Sequence, residues 1–244
     1  MVLDLLGPNL EELFTFCGRR FSTKTILLIG IQLLTRLEKI HTRGLVFRYS
    51  VSTFNDFKIT NSRDLKPENV LIGRKSMKKE NILHIIDYGL AKPYIDSETK
   101  QHIAFAGNRP ITGKYFLKSE IIFSSLLFSP GTVRYMSVNA HLGVEQSRRD
   151  DLEALGYLLT YFFRGGKLPW MGFHIENTRE RFRKIGQCKQ LINIHKFCKD
   201  MPREFAIYFR YIKTLRFSET PDYNYLRFEH KILFLSLLVI AEHC

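Results

Sequence analysis

Cysteine is sparse in this chain, and Cys17, Cys188, Cys198 and Cys244 fall at spacings that match no zinc-ligand pattern. A disulfide-stapled secreted scaffold is thereby set aside. Reduced thiols, or simply buried ones, are expected in the cytoplasm or nucleus. Long hydrophobic runs are also missing. Residues 232–241 are apolar apart from Ser236, but the run is about half of the ~20 residues that cross a bilayer. The opening Met1-Val2-Leu3-Asp4 has no basic segment and does not read as a secretory signal. No block of five Lys or Arg occurs, and no nucleic-acid module is recognisable, although the net charge is +13. The basic surplus favours acidic partners, either nucleic acid or an acidic or phosphorylated protein, and the missing basic block and module disfavour nucleic acid. Internal repeats and low-complexity linkers are absent.

What is present suits one substantial domain, or one and a half. Hydrophobic residues make up 45% and charged residues 25% of 244. Gly7-Pro8-Asn9 signals a turn before a short helix over 10–16. Ile26, Ile29, Leu33, Leu37 and Ile40 recur at helical steps and predict a helix over 23–42, with Gly44 as its stop. Short strands are expected at 45–47, 70–72 and 82–86. Helices are expected from Asp150 to Phe163 and over about 176–185 and 203–215. The expected class is mainly α with short β-strands.

The chemistry concentrates in Arg63-Asp64-Leu65-Lys66-Pro67-Glu68-Asn69. An Asp, a Lys two residues on and an Asn five residues on, carried by one loop, form a phosphoryl-transfer pattern. The Asp orients a hydroxyl and accepts its proton, the Lys offsets phosphate charge, and the Asn holds magnesium. Asp87-Tyr88-Gly89 follows an apolar strand at the interval expected of a second magnesium ligand. An Asp at a strand-to-turn boundary is the plain structural alternative for Asp87.

Further motifs narrow the resemblance. His84 to Lys92 (HIIDYGLAK), Thr132 to Asn139 (TVRYMSVN), Glu145 to Glu153 (EQSRRDDLE), Leu168-Pro169-Trp170 and Pro221 to Arg227 (PDYNYLR) resemble casein kinase I. Ser137-Val138-Asn139 stands where most protein kinases have Ala-Pro-Glu. The 94–100 stretch is most similar to the gamma type. The resemblance implies a protein-kinase-like C-terminal lobe that uses ATP and Mg2+ on acidic or primed Ser/Thr substrates. It implies Asp64 as catalytic base, Lys66 as phosphate-neutralising residue, and Asn69 and Asp87 as metal ligands. Asp151 would brace the catalytic loop. Asp4, Leu5 and Leu6 would form the adenine-binding hinge, with Leu71 and Ile86 lining the nucleotide floor or serving as ordinary core. Arg134, Arg148 and Lys167 are substrate-docking candidates, or else solvated charges. A cytoplasmic monomer is expected, with the peripheral membrane association of gamma-type members as a variant.

The chain also departs from that pattern. The Gly-rich loop, the ATP-binding Lys and its Glu partner of the N-terminal lobe have no counterpart, so the lobe is expected to be absent. Deleting one such preorganised contact costs about 3–4 kcal/mol of transition-state stabilisation. The kinase domain is expected over 1–227, with non-family inserts at 48–62 and 114–131 and an unrelated tail at 228–244. Gly113-Lys114-Tyr115 and Arg48-Tyr49 can both be encoded with splice-donor consensus, so the inserts are expected to be unspliced intron sequence. A small-molecule phosphotransferase is disfavoured by the 137–139 and 147–153 segments. A non-catalytic pseudokinase that binds acidic partners stays open.

Overall fold

In the computed structural model the described residues are 5–47, 65–87, 91–105, 132–142 and 144–242. Helix α1 (Leu10–Phe16) opens with a reciprocal cap. The Asn9 side chain accepts from the Glu12 N–H at 2.9 Å, and the Glu12 carboxylate accepts from the Asn9 N–H at 3.0 Å. Helix α2 (Thr23–His41) starts on Ser22, whose Oγ accepts from the Thr25 N–H. Its buried stripe is Ile26, Ile29, Leu33, Leu37 and Ile40, the set expected from helical spacing.

Two antiparallel strand pairs follow. Strand β1 (Leu45–Val46) pairs with β4 (Lys92–Pro93), and β2 (Val70–Ile72) pairs with β3 (Leu83–Ile85). Short helix α3 (Val138–His141) precedes the central helix α4 (Arg148–Phe163). The Asp150 carboxylate reaches back to the Ser147 N–H at 2.7 Å and closes the start of α4. Leu152, Leu155, Leu158 and Thr160 are wholly buried, so α4 is the core helix, with α2 on one side and α7 (Arg203–Thr214) on another. Helices α5 (Thr178–Gln190) and α6 (Ile194–Phe197) lie between α4 and α7 in the chain.

Aromatic rings fill this core. Tyr157, Trp170, Phe197 and Phe209 stack or meet edge to face at centroid separations of 4.9–6.3 Å. The last helix, α8 (Tyr223–Glu242), packs on α2 and α7. The boundary expected at Arg227 thus falls inside a continuous helix, and His230 beyond it is buried against Tyr208. The expected inserts at 48–62 and 114–131 lie outside the described residues. Among the described residues no helix is long and apolar enough to cross a membrane.

Candidate active site

Pro67 opens a single 3-10 turn, Pro67–Asn69, which feeds straight into β2. Its ring presets the backbone and lacks the N–H that would otherwise need a partner. The Asn69 carbonyl accepts from the Ile86 N–H at 2.9 Å, which extends the Val70–Ile85 register by one pair. Asn69 and Asp87 therefore arrive at the same end of the β2–β3 hairpin. Asp87 has φ +67°, the left-handed region, and is exposed. The backbone turns off the strand at that residue. An amide oxygen and a carboxylate are the hard donors magnesium takes when it keeps waters and phosphate oxygens as its remaining ligands. Among the described residues there is no cluster of three His, Cys, Asp or Glu that would suit another metal.

The 5–9 segment runs along the outer edge of β2. The Gly7 N–H donates to the Ile72 carbonyl at 2.8 Å, the Ile72 N–H donates to Pro8 at 3.1 Å, and Asn9 bridges Leu71. A Cβ on Gly7 would come within 3.0 Å of the Ile72 side chain, so glycine permits this approach. In this antiparallel register Asn9 faces Leu71, and Leu5 and Leu6 run on past Ile72 along the same edge. Leu5 is 69% exposed, whereas Leu6, Leu71 and Ile86 are half-buried. Lys66 is half-buried one residue after Leu65, which is fully buried. Asp4 and Asp64 lie outside the described residues.

Behind the loop is a buried polar chain. Oδ2 of Asp151 accepts from the Phe47 N–H and from Nε2 of His41, both at 2.8 Å. Nδ1 of His41 accepts from the Tyr223 hydroxyl, and the Tyr94 hydroxyl donates to the His41 carbonyl at 2.6 Å. Burial, aided by the charge of Arg148, lowers His41 to about 3, so its ring is neutral. Burial also pushes the Asp151 carboxyl well above its ordinary value, against the pull of the Phe47 N–H. Sequence reasoning singled out Asp151 and passed over His41 and Tyr223. The available signals were that His41 continues the α2 stripe four residues after Leu37, and that Tyr223 belongs to Pro221-Asp222-Tyr223.

The docking candidates separate. Arg148 is only 7% exposed. Its guanidinium donates to the Tyr94 hydroxyl and the Ser218 carbonyl and lies 4.6 Å over the Tyr94 ring. Arg148 is thus bonded inside the protein, with little of its surface open to a substrate. Its place in the first turn of α4 points it inward, and a desolvated guanidinium needs these partners. Arg134 is half-buried and Lys167 exposed. Nε1 of Trp170 donates to the Arg134 carbonyl at 2.9 Å, which sets the loop carrying Lys167 beside Arg134. The 137–139 motif is tied to α4, because Oδ1 of Asp150 accepts from Oγ of Ser137 at 2.8 Å and Nδ2 of Asn139 at 2.9 Å.

No family model matches the chain. It is 42% identical over 227 residues to casein kinase I homolog 2 of Schizosaccharomyces pombe, covering 93% of this chain and 44% of that protein. It is 40% identical over 238 residues to casein kinase I homolog 2 of Saccharomyces cerevisiae, covering 98% of this chain and 37% of that protein. The chain thus spans less than half the length of these curated relatives. Over nearly the whole of its own length, it is a homologue of casein kinase I proteins at about 40% identity.

Proposed function

We propose that this chain is a portion of a casein-kinase-I-type serine/threonine protein kinase, most like the gamma type, acting on acidic or already phosphorylated proteins. The observation that carries the reading is the Asn69–Ile86 backbone bond, which brings Asn69 and Asp87 to one end of the hairpin whose outer edge carries the 5–9 segment. In this reading Asn69 and Asp87 hold magnesium, and Leu5, Leu6, Leu71 and Ile86 contact the nucleotide with Asp4. Asp64 takes the proton of the substrate hydroxyl, and Lys66 faces the transferring phosphate. Magnesium bound with ATP supplies charge neutralisation across the phosphates. Asp151 acts at one remove by holding the Phe47 backbone from which the chain continues toward Asp64. Arg134 and Lys167 meet the acidic or phosphorylated part of the substrate.

The segments 48–62 and 114–131 interrupt the kinase pattern at the two places where catalytic geometry matters most, and misplacement by about 1 Å can cost ~100-fold in rate. That interruption favours a second reading, a non-catalytic protein that binds acidic partners. The deciding assay is phosphate transfer from labelled ATP to a primed acidic peptide, with Asp64→Asn and Asp87→Asn as controls. Transfer abolished by both substitutions supports the kinase. Peptide binding without transfer, and with no magnesium-dependent ATP thermal shift, supports the binding protein. Sequencing the mature transcript across the codons for 47–64 and 113–132 decides whether the two interruptions belong to the protein.

A further inference from the structure

Lys189 is completely buried, near the end of α5, at a position where helical spacing calls for an apolar residue after Phe182 and Ile185. Burying an ammonium costs several kcal/mol unless each N–H is satisfied. Here two N–H groups meet backbone carbonyls and the ammonium also meets a histidine ring nitrogen. Nζ lies 2.9 Å from the Val133 carbonyl, 2.7 Å from the Met136 carbonyl and 3.2 Å from Nε2 of His141. The charge also sits 4.8 Å from the Trp170 ring and 5.0 Å from the Tyr157 ring, both of which attract a cation. The same Trp170 donates to the carbonyl of Arg134. Three backbone carbonyls of the short stretch 133–136 are thus held by one lysine and one tryptophan, both from beyond α4. Arg134, half-buried, is the second residue of the held stretch.

We infer that Lys189 is the positioning residue for substrate docking, gripping the Val133 and Met136 carbonyls so that Arg134 is presented in a preset geometry to an acidic or phosphorylated side chain of a protein substrate. This rests on the docking role proposed above for Arg134. Lys189 does not touch the substrate; it removes the ordering that the 133–136 backbone would otherwise undergo on binding. Losing the grip leaves two buried carbonyls unpaired and lets the stretch shift.

The test is binding of a fluorescent primed acidic peptide to the full chain and to Lys189→Met, Arg134→Gln and the double variant. Thermal melting and the magnesium–ATP shift are recorded alongside. Lys189→Met is expected to weaken peptide binding about tenfold and leave the nucleotide response unchanged. The double variant should bind no worse than Arg134→Gln, because both changes act through one side chain. If Arg134→Gln binds peptide like the parent chain, the docking role falls and this inference with it. If Arg134→Gln weakens binding and Lys189→Met only lowers the melting temperature, or the two losses add, the inference alone is wrong. Should Lys189→Met fail to fold, amide hydrogen exchange over 133–137 of the unaltered chain decides. Exchange as slow in the free protein as in α4 supports a preset stretch. Exchange that is fast when free and slow only with peptide overturns it.

Discussion

The Phe47 N–H donates to Oδ2 of Asp151 at 2.8 Å, joining two residues 104 positions apart at the point where the chain sets off toward Asp64. The same oxygen accepts from His41, so one carboxylate satisfies two buried donors from different elements. Replacing Asp151 with Ala orphans both, and each unsatisfied buried donor costs about 1–3 kcal/mol. Asp151→Ala is therefore expected to destabilise by about 2–5 kcal/mol, read as a lower urea midpoint. A midpoint within error of the parent chain would mean that Asp151 does not brace the Phe47 backbone.

Tyr223→Phe keeps the ring and deletes only the hydroxyl that His41 accepts from. The expected loss is about 1–3 kcal/mol, the cost of a buried acceptor left unpaired. Because His41 connects the two sites, Tyr223→Phe and Asp151→Ala should be sub-additive in a double-mutant cycle. Additive losses would mean that the hydroxyl acts independently of Asp151.

His230 supplies a pH signature. Its ring is buried against Tyr208, Nδ1 donates to the Leu226 carbonyl at 2.8 Å, and burial lowers its pKa below the ordinary 6.5. A histidine depressed in the folded state contributes stability that is fully present above about pH 6.5 and is lost as pH falls toward its folded pKa. Relative to His230→Gln, the parent chain should lose up to about 1.4 kcal/mol per pH unit below pH 6.5. Urea unfolding at pH 7.5, 6.5 and 5.5 measures this. Asp150, Asp151 and Glu153 are raised by burial and favour folding in acid, and they cancel in the difference. Parallel pH profiles would contradict the assignment.

At Gly156 helix α4 packs tightly against α7. A Cβ there would lie 2.8 Å from the Phe209 ring and 2.9 Å from the Tyr208 ring. Gly156→Ala gains helix propensity but overpacks, and the expected net loss is about 1–3 kcal/mol. Calorimetry showing a higher melting temperature would mean that the two rings can move aside.

Much of the fold was legible locally. The stripe Ile26–Ile40 specified α2 because its side chains recur on one face, and the Gly7-Pro8-Asn9 turn signal marked the start of α1. Charged residues were harder to read. Arg148, Arg134 and Lys167 look alike in sequence, yet only Arg148 is buried with its guanidinium bonded internally. Lys189 passed unnoticed because its partners, the carbonyls of Val133 and Met136, are backbone groups that every sequence possesses. The tail expected after Arg227 was set apart by motif similarity, which says nothing of its backbone, and helix α8 runs across that position.

By itself the sequence determined the spacing of Asp64, Lys66, Asn69 and Asp87 and the helical class, because residue type and spacing along one loop or helix are local properties. Tertiary structure alone decided which polar groups face inward. The link from Phe47 through Asp151 and His41 to Tyr223 joins residues far apart in the chain, and burial determines that each of them needs the next.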